Sequence, residues 1–98
     1  MIGERRRIMK TIPIKLNSVL EIQKFITILD KYSSDFDLRC GHSIVDAKSI
    51  LGILSLDLSR TLVLTVYEEE KTLFKDLIPF RKTENMNPKT LYTDTIAV

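Results

Sequence analysis

Val45-Asp-Ala-Lys-Ser-Ile-Leu-Gly-Ile-Leu-Ser-Leu56 carries apolar residues at positions 50, 51, 53, 54 and 56. That spacing suits a short helix over Lys48–Leu56, buried along one side. Ser49 stands where an N-cap belongs, its side-chain oxygen placed to accept from a first-turn amide. Strand-forming sequence flanks the helix. Upstream, Asp35-Phe-Asp-Leu-Arg-Cys40 alternates, with Phe36 and Leu38 on one face and Asp35, Asp37 and Arg39 on the other. Gly41-His42 supplies a turn, and Ser43–Ala47 returns as a short partner strand. Downstream, Arg60-Thr-Leu-Val-Leu-Thr-Val-Tyr67 is rich in β-branched and aromatic residues, with Leu62, Leu64 and Val66 alternating. It reads as a strand.

Further out, Ile12, Ile14 and Leu16 alternate with Thr11, Pro13 and Lys15. Period two marks a half-buried strand, and Pro13, which cannot donate to a ladder, puts that strand at a sheet edge. Ser18-Val-Leu-Glu21 has the form of a capping box. Ile22, Phe25, Ile26 and Leu29 then recur at helical spacing, giving a helix from Ser18 to near Tyr32. After the last strand, Glu69–Ile78 places Leu73, Phe74, Leu77 and Ile78 on a helical stripe that Pro79 ends. Glu68-Glu69-Glu70 is expected to complement that helix's dipole as a negative first turn. Consecutive residues on a helix share no face, so no catalytic carboxylate pair is expected from them. The order is β-α-β-β-α-β-α, and a four-stranded sheet with helices on one face buries all three stripes. Leu91–Val98 is either an edge strand or a loose end, and the edge beside Pro13 is one place where such a strand, even from a second copy, could add.

Ninety-eight residues, 44% of them hydrophobic and 29% charged, fit one globular domain. One Cys excludes a disulfide scaffold, and no apolar run approaches the roughly 18 residues of a membrane span. The start, MIGERRRIMK, is basic but leads into no apolar h-region; with a lone thiol it points to the cytoplasm. A net charge of +2 does not by itself call for a polyanionic partner. Arg5, Arg6, Arg7 and Lys10 form one arm without interleaved aromatics, which reads as a solvated arm rather than a nucleic-acid site. Gly3, Gly41 and Gly52 are too scattered for a phosphate-cradling loop. One His (His42) and one Cys (Cys40) cannot build a zinc cage. Two apart on a strand they would share a face, but no orienting group or oxyanion site accompanies them. No cofactor, no metal and no catalytic activity are expected.

The element order, together with Lys48-Ser-Ile-Leu-Gly-Ile-Leu-Ser-Leu56, resembles HPr, the histidine-containing phosphocarrier family of the bacterial phosphoenolpyruvate:sugar phosphotransferase system. The likeness covers roughly residues 11–82, with a basic arm at 1–10 and an extension at 83–98 outside it. It implies an α+β open-faced sandwich: a four-stranded antiparallel sheet with three helices on one face. It further implies that Ser49 is the regulatory serine phosphorylated in the family, and that Lys48, Leu51 and Leu54 belong to the surface on which protein partners dock. A phosphate at Ser49 would add charge where helix amides favour it. The family's catalytic segment reads like G-I-H-A-R-P, and this chain has Leu16-Asn-Ser-Val-Leu-Glu21 in its place. Ser18 stands at the position of the phosphorylated His and Leu20 at that of the Arg. A phosphoserine ester is a poor phosphoryl donor, and Leu20 offers no charge-assisted hydrogen bond to a phosphate. The resemblance therefore implies a divergent member, similar to the family's catabolite-repression paralogues. Its expected partners are proteins: a phosphotransferase-system component, a serine kinase or a transcription regulator. The alternative is a carrier that still relays phosphate through a non-standard acceptor, of which His42 is the candidate.

Overall fold

Pro13 has no amide hydrogen to give a ladder, and the strand that holds it, β1 (Lys10–Ile14), lies at a sheet edge. The computed structural model describes residues 7–82. Within them β1 is followed by α1 (Val19–Leu29), β2 (Phe36–Cys40), β3 (Ser43–Asp46), α2 (Ile50–Leu54), β4 (Leu62–Val66), α3 (Leu73–Asp76) and a 3₁₀ turn at Ile78–Phe80. The sheet is antiparallel throughout, in the order β1-β4-β2-β3. Ile12, Leu64, Leu38 and Val45 form one cross-strand row of the register. Period two turns that row toward the helices and leaves the rows on either side, Thr11-Thr65-Asp37-Asp46 and Pro13-Val63-Arg39-Ile44, on the open face.

The three helices cover the first face. Ile22, Phe25 and Leu29 of α1, Ile53 of α2 and Leu73 of α3 are buried against Ile12, Ile14, Phe36, Leu38, Leu62 and Leu64 of the sheet. Burying side chains of this size contributes about 1.5–3 kcal/mol each relative to exposure. The β2–β3 turn is two residues long, and Gly41 supplies the positive φ, 62°, that such a turn demands at its first central position. Gly52 serves a different need. A Cβ there would meet the Val45 Cβ at 3.1 Å, so α2 seats its backbone close on β3.

Three expectations need correction. The first helix ends at Leu29 rather than near Tyr32, because Asp30 caps it and Tyr32 turns away to pair with the last helix. The last helix is four residues long and starts after Glu68-Glu69-Glu70, so those residues form no first turn. They lie in the connecting loop, where the Ser34 hydroxyl meets the carboxylates of both Glu68 and Glu70. In extended chain, residues two apart share a side, and this is how two carboxylates converge that a helix would have separated. Of the expected stripe only Leu73 and Leu77 are buried; Phe74 and Ile78 are exposed, and Phe80 takes the core place instead, edge-on to Phe25 at 5.9 Å.

The edge beside Pro13 is also not open along its whole length. Phe80–Lys82 runs antiparallel to it: Lys15 N donates to Phe80 O (2.8 Å), and Lys82 N donates to Pro13 O (3.0 Å). Residues 83–98, including Leu91–Val98, lie outside the described residues, as does the arm before Arg7.

Candidate functional site at the start of the first helix

Strand β1 delivers the chain to Lys15, and the next three residues turn it into α1. Ser18 is the N-cap, extended at φ −157° and ψ 164°, and its Oγ accepts from the Glu21 amide at 3.1 Å. Glu21 completes the cap differently from a standard capping box: its Oε1 accepts from the Asn17 amide (2.8 Å) rather than from that of Ser18. The first amides of a helix have no intrahelical acceptor, so this end carries partial positive charge. Lys15 adds a full one nearby, its Nζ donating to the Leu58 carbonyl at 2.7 Å. Between these elements lies an open depression of about 380 Å³, lined by Lys15, Leu16, Asn17, Ser18, Val19, Ile22, Leu58 and Ser59. Lys15, Leu58 and Ser59 are the members that sequence reading did not single out. The 55–61 loop reaches the depression only through the crossover of β4 between β1 and β2, a long-range placement that no local pattern signals.

The loop itself is tied down by Asp57. Its carboxylate accepts from the Ser59 hydroxyl (2.6 Å) and amide (3.1 Å). Those two bonds, the hydroxyl's first, hold the Asp57 pKa below the usual carboxylate range, with Arg60 and Lys15 assisting.

Ser49 caps α2 in the same manner, its Oγ accepting from the Gly52 amide at 3.0 Å. Beyond it Leu51 is 77% exposed and Leu54 44%, while Val19 and Leu20 of α1 are 52% and 58% exposed. The two helices are in contact, and each leaves two large apolar side chains exposed near its capping serine. Lys48 does not point at Ser49. Its Nζ donates to the Tyr32 carbonyl (2.7 Å) and lies 5.5 Å from the centre of the Phe36 ring.

His42 is exposed in the β2–β3 turn. Because β1 and β2 flank β4 and run the same way, that turn sits at the same end of the sheet as the start of α1. His42 is nonetheless not among the residues lining the depression. Cys40 Sγ is turned to the Asp57 carbonyl (3.8 Å) and is buried, so the two residues make no nucleophilic pair.

No protein-family model matches the chain, and no curated protein matches it. Among solved structures, the crystal structure of HPr-C-His from Thermoanaerobacter tengcongensis is similar, at 30% sequence identity and a TM-score of 0.53. The likeness covers 71% of this chain and 85% of that one. With an identity of that level over most of the relative, and with a four-stranded antiparallel sheet under three helices, the chain belongs to the HPr family.

Proposed function

We propose that this chain is a member of the HPr family that has given up the phosphohistidine and works by binding proteins through the α1–α2 face. The observation that carries this reading is the occupant of the α1 N-cap. Where the family places its phosphorylated imidazole, this chain has Ser18, with its Oγ engaged as a cap. Two residues on, where the family has Arg, Leu20 is exposed and apolar. A phosphoryl relay needs a nitrogen nucleophile and a cation to hold the charge, and neither side chain supplies one. What remains is a surface: Val19, Leu20, Leu51 and Leu54 are exposed beside a helix N-terminus. Apolar anchors gathered in one patch are what protein interfaces use.

Ser49 is the point at which we place control. It caps α2 next to Leu51, so a phosphate on its Oγ would put about −1.5 to −2 charges at the edge of the apolar face. That charge would change which partner the face fits. The protein would act in the cytoplasm without a catalytic step of its own, its partners being a serine kinase and a phosphotransferase-system component or transcription regulator.

A second reading keeps a carrier role through His42. It is favoured by one observation, the position of the β2–β3 turn at the same end of the sheet as the α1 N-terminus. The two readings separate on incubation with enzyme I and phosphoenolpyruvate, and in parallel with an HPr serine kinase and ATP, read by intact mass. Phosphate added by the kinase alone, and lost in Ser49→Ala, is the expected result. Acid-labile phosphate from phosphoenolpyruvate, lost in His42→Ala, would establish the carrier instead.

A further inference from the structure

With Phe80 in the core, the last helix carries its own aromatic ring outward. Phe74 is 41% exposed and Ile78 56%. Phe74, Lys75 and Ile78 follow Lys71 by three, four and seven residues, the spacing of one helix face, and all four are exposed. Two cations reach the Phe74 ring from outside α3. Arg81 Cζ lies 3.8 Å from its centre and Lys10 Nζ 5.3 Å. A guanidinium held against a ring by its flat face keeps its N–H donors, which lie in its plane, for an acceptor. Arg81 has none: its Nε is buried without a hydrogen-bond partner, and it forms no ion pair among the described residues. Buried donors left in that state are rare in folded proteins and call for an explanation.

The nearby carboxylates are engaged elsewhere. Asp76 is taken by Tyr32 and Lys31, and Glu68 and Glu70 meet the Ser34 hydroxyl. Lys10 and Lys71 share a depression with Glu68–Glu70, which offsets their charge, but Arg81 does not line it. We propose that the Phe74–Arg81 face is a second docking surface, and that its partner is an acidic protein segment with an apolar side chain. A carboxylate would meet the Arg81 fork, and the apolar side chain would cover Phe74 and Ile78. Charge complementarity selects the carboxylate, and aromatic residues with Arg are what protein interfaces concentrate. Two other anionic surfaces fit less well. Four residues of α3 with two outward apolar side chains give little area to bury in a lipid interface. A stacked base needs an open aromatic face, and the Phe74 ring already carries two cations. The proposal stands apart from the reading of the α1–α2 face, since it uses none of the residues assigned there.

Backbone and Arg side-chain NMR of the full chain tests it, with the acetylated peptide Glu-Leu-Glu-Phe-Glu as probe and Gln-Leu-Gln-Phe-Gln as its neutral counterpart. The acidic peptide is expected to shift the Arg81 Nε–Hε resonance and the amides of Phe74, Lys75 and Ile78. Binding should be about tenfold weaker in Arg81→Gln, the loss of one charge-assisted contact. That variant keeps the backbone bonds of the edge return. Arg81→Lys should recover only part of the affinity, since it restores the charge without the fork. Equal shifts from the neutral peptide, or unchanged binding of the acidic one in Arg81→Gln, would overturn the proposal. So would an absence of peptide binding at millimolar concentration. Vesicles of phosphatidylglycerol or a single-stranded oligonucleotide shifting these residues where the peptide does not would overturn it too, by assigning the face to a membrane or a nucleic acid.

Discussion

Ser18 and Ser49 sit at the starts of two helices in extended backbone, each accepting from the amide three residues on. Removing either hydroxyl leaves that amide without its acceptor, so Ser18→Ala and Ser49→Ala should each lower stability by about 1 kcal/mol in urea unfolding, with Gly at the same places costing only a few tenths. Ser49→Asp should leave stability near that of the parent, since Asp is an equally good cap. That makes it a usable charge mimic. Both caps were legible in the sequence because capping is local: a hydroxyl, three residues, an apolar stripe. The partner of Glu21 was not, because the choice between the Asn17 and Ser18 amides depends on how β1 enters the helix. Nor did any pattern mark Ser34, which is buried and meets carboxylates from a loop more than thirty residues away.

At the level of elements, the last helix shows where periodicity misleads. Leu73, Phe74, Leu77 and Ile78 satisfy helical spacing, yet Pro79 forces the chain out of α geometry and Phe80 provides the buried ring. What fixes the short α3 is a tie to the end of α1. The Tyr32 hydroxyl donates to Asp76 Oδ2 (2.8 Å), lies 2.7 Å from the Thr72 hydroxyl, and shares Asp76 with Lys31 Nζ at 3.2 Å. Asp76 is held below its ordinary pKa, first by the Tyr32 hydroxyl and then by Lys31. Tyr32 is pushed up, chiefly by desolvation. The signs follow from linkage. The Asp76 contribution is complete above the ordinary carboxylate pKa and disappears as pH falls through that range. The Tyr32 contribution is present below the ordinary phenol pKa and is lost as pH rises past it. Urea unfolding from neutral to acid pH should therefore show a smaller acid loss in Tyr32→Phe than in the parent. An identical acid profile in both would mean the tie contributes nothing.

Over the whole molecule, sheet order decides what meets what. Pro13 alone was enough to place β1 at an edge, and the alternation in β2 and β4 was enough to place their core faces. The crossover that puts β4 between β1 and β2 has no local signature. It is the crossover that brings Leu58 and Ser59 to the α1 N-terminus and carries Phe80–Lys82 back onto the β1 edge. Phe80 anchors that return against Phe25, so Phe80→Ala should cost about 3 kcal/mol and loosen the edge pairing, visible as faster hydrogen exchange at Lys15 and Lys82. In this chain the α1 N-terminus stands at one corner of the fold, at the end of the sheet where β1 leaves it. On the reading proposed above, two side chains, Ser18 and Leu20, decide whether that corner carries phosphate. Intact mass after incubation with enzyme I and phosphoenolpyruvate, for the natural chain beside Ser18→His/Leu20→Arg, isolates them. The expected result is no phosphate on the natural chain and acid-labile phosphate on the double variant. Acid-labile phosphate on the natural chain would contradict the loss of phosphotransfer.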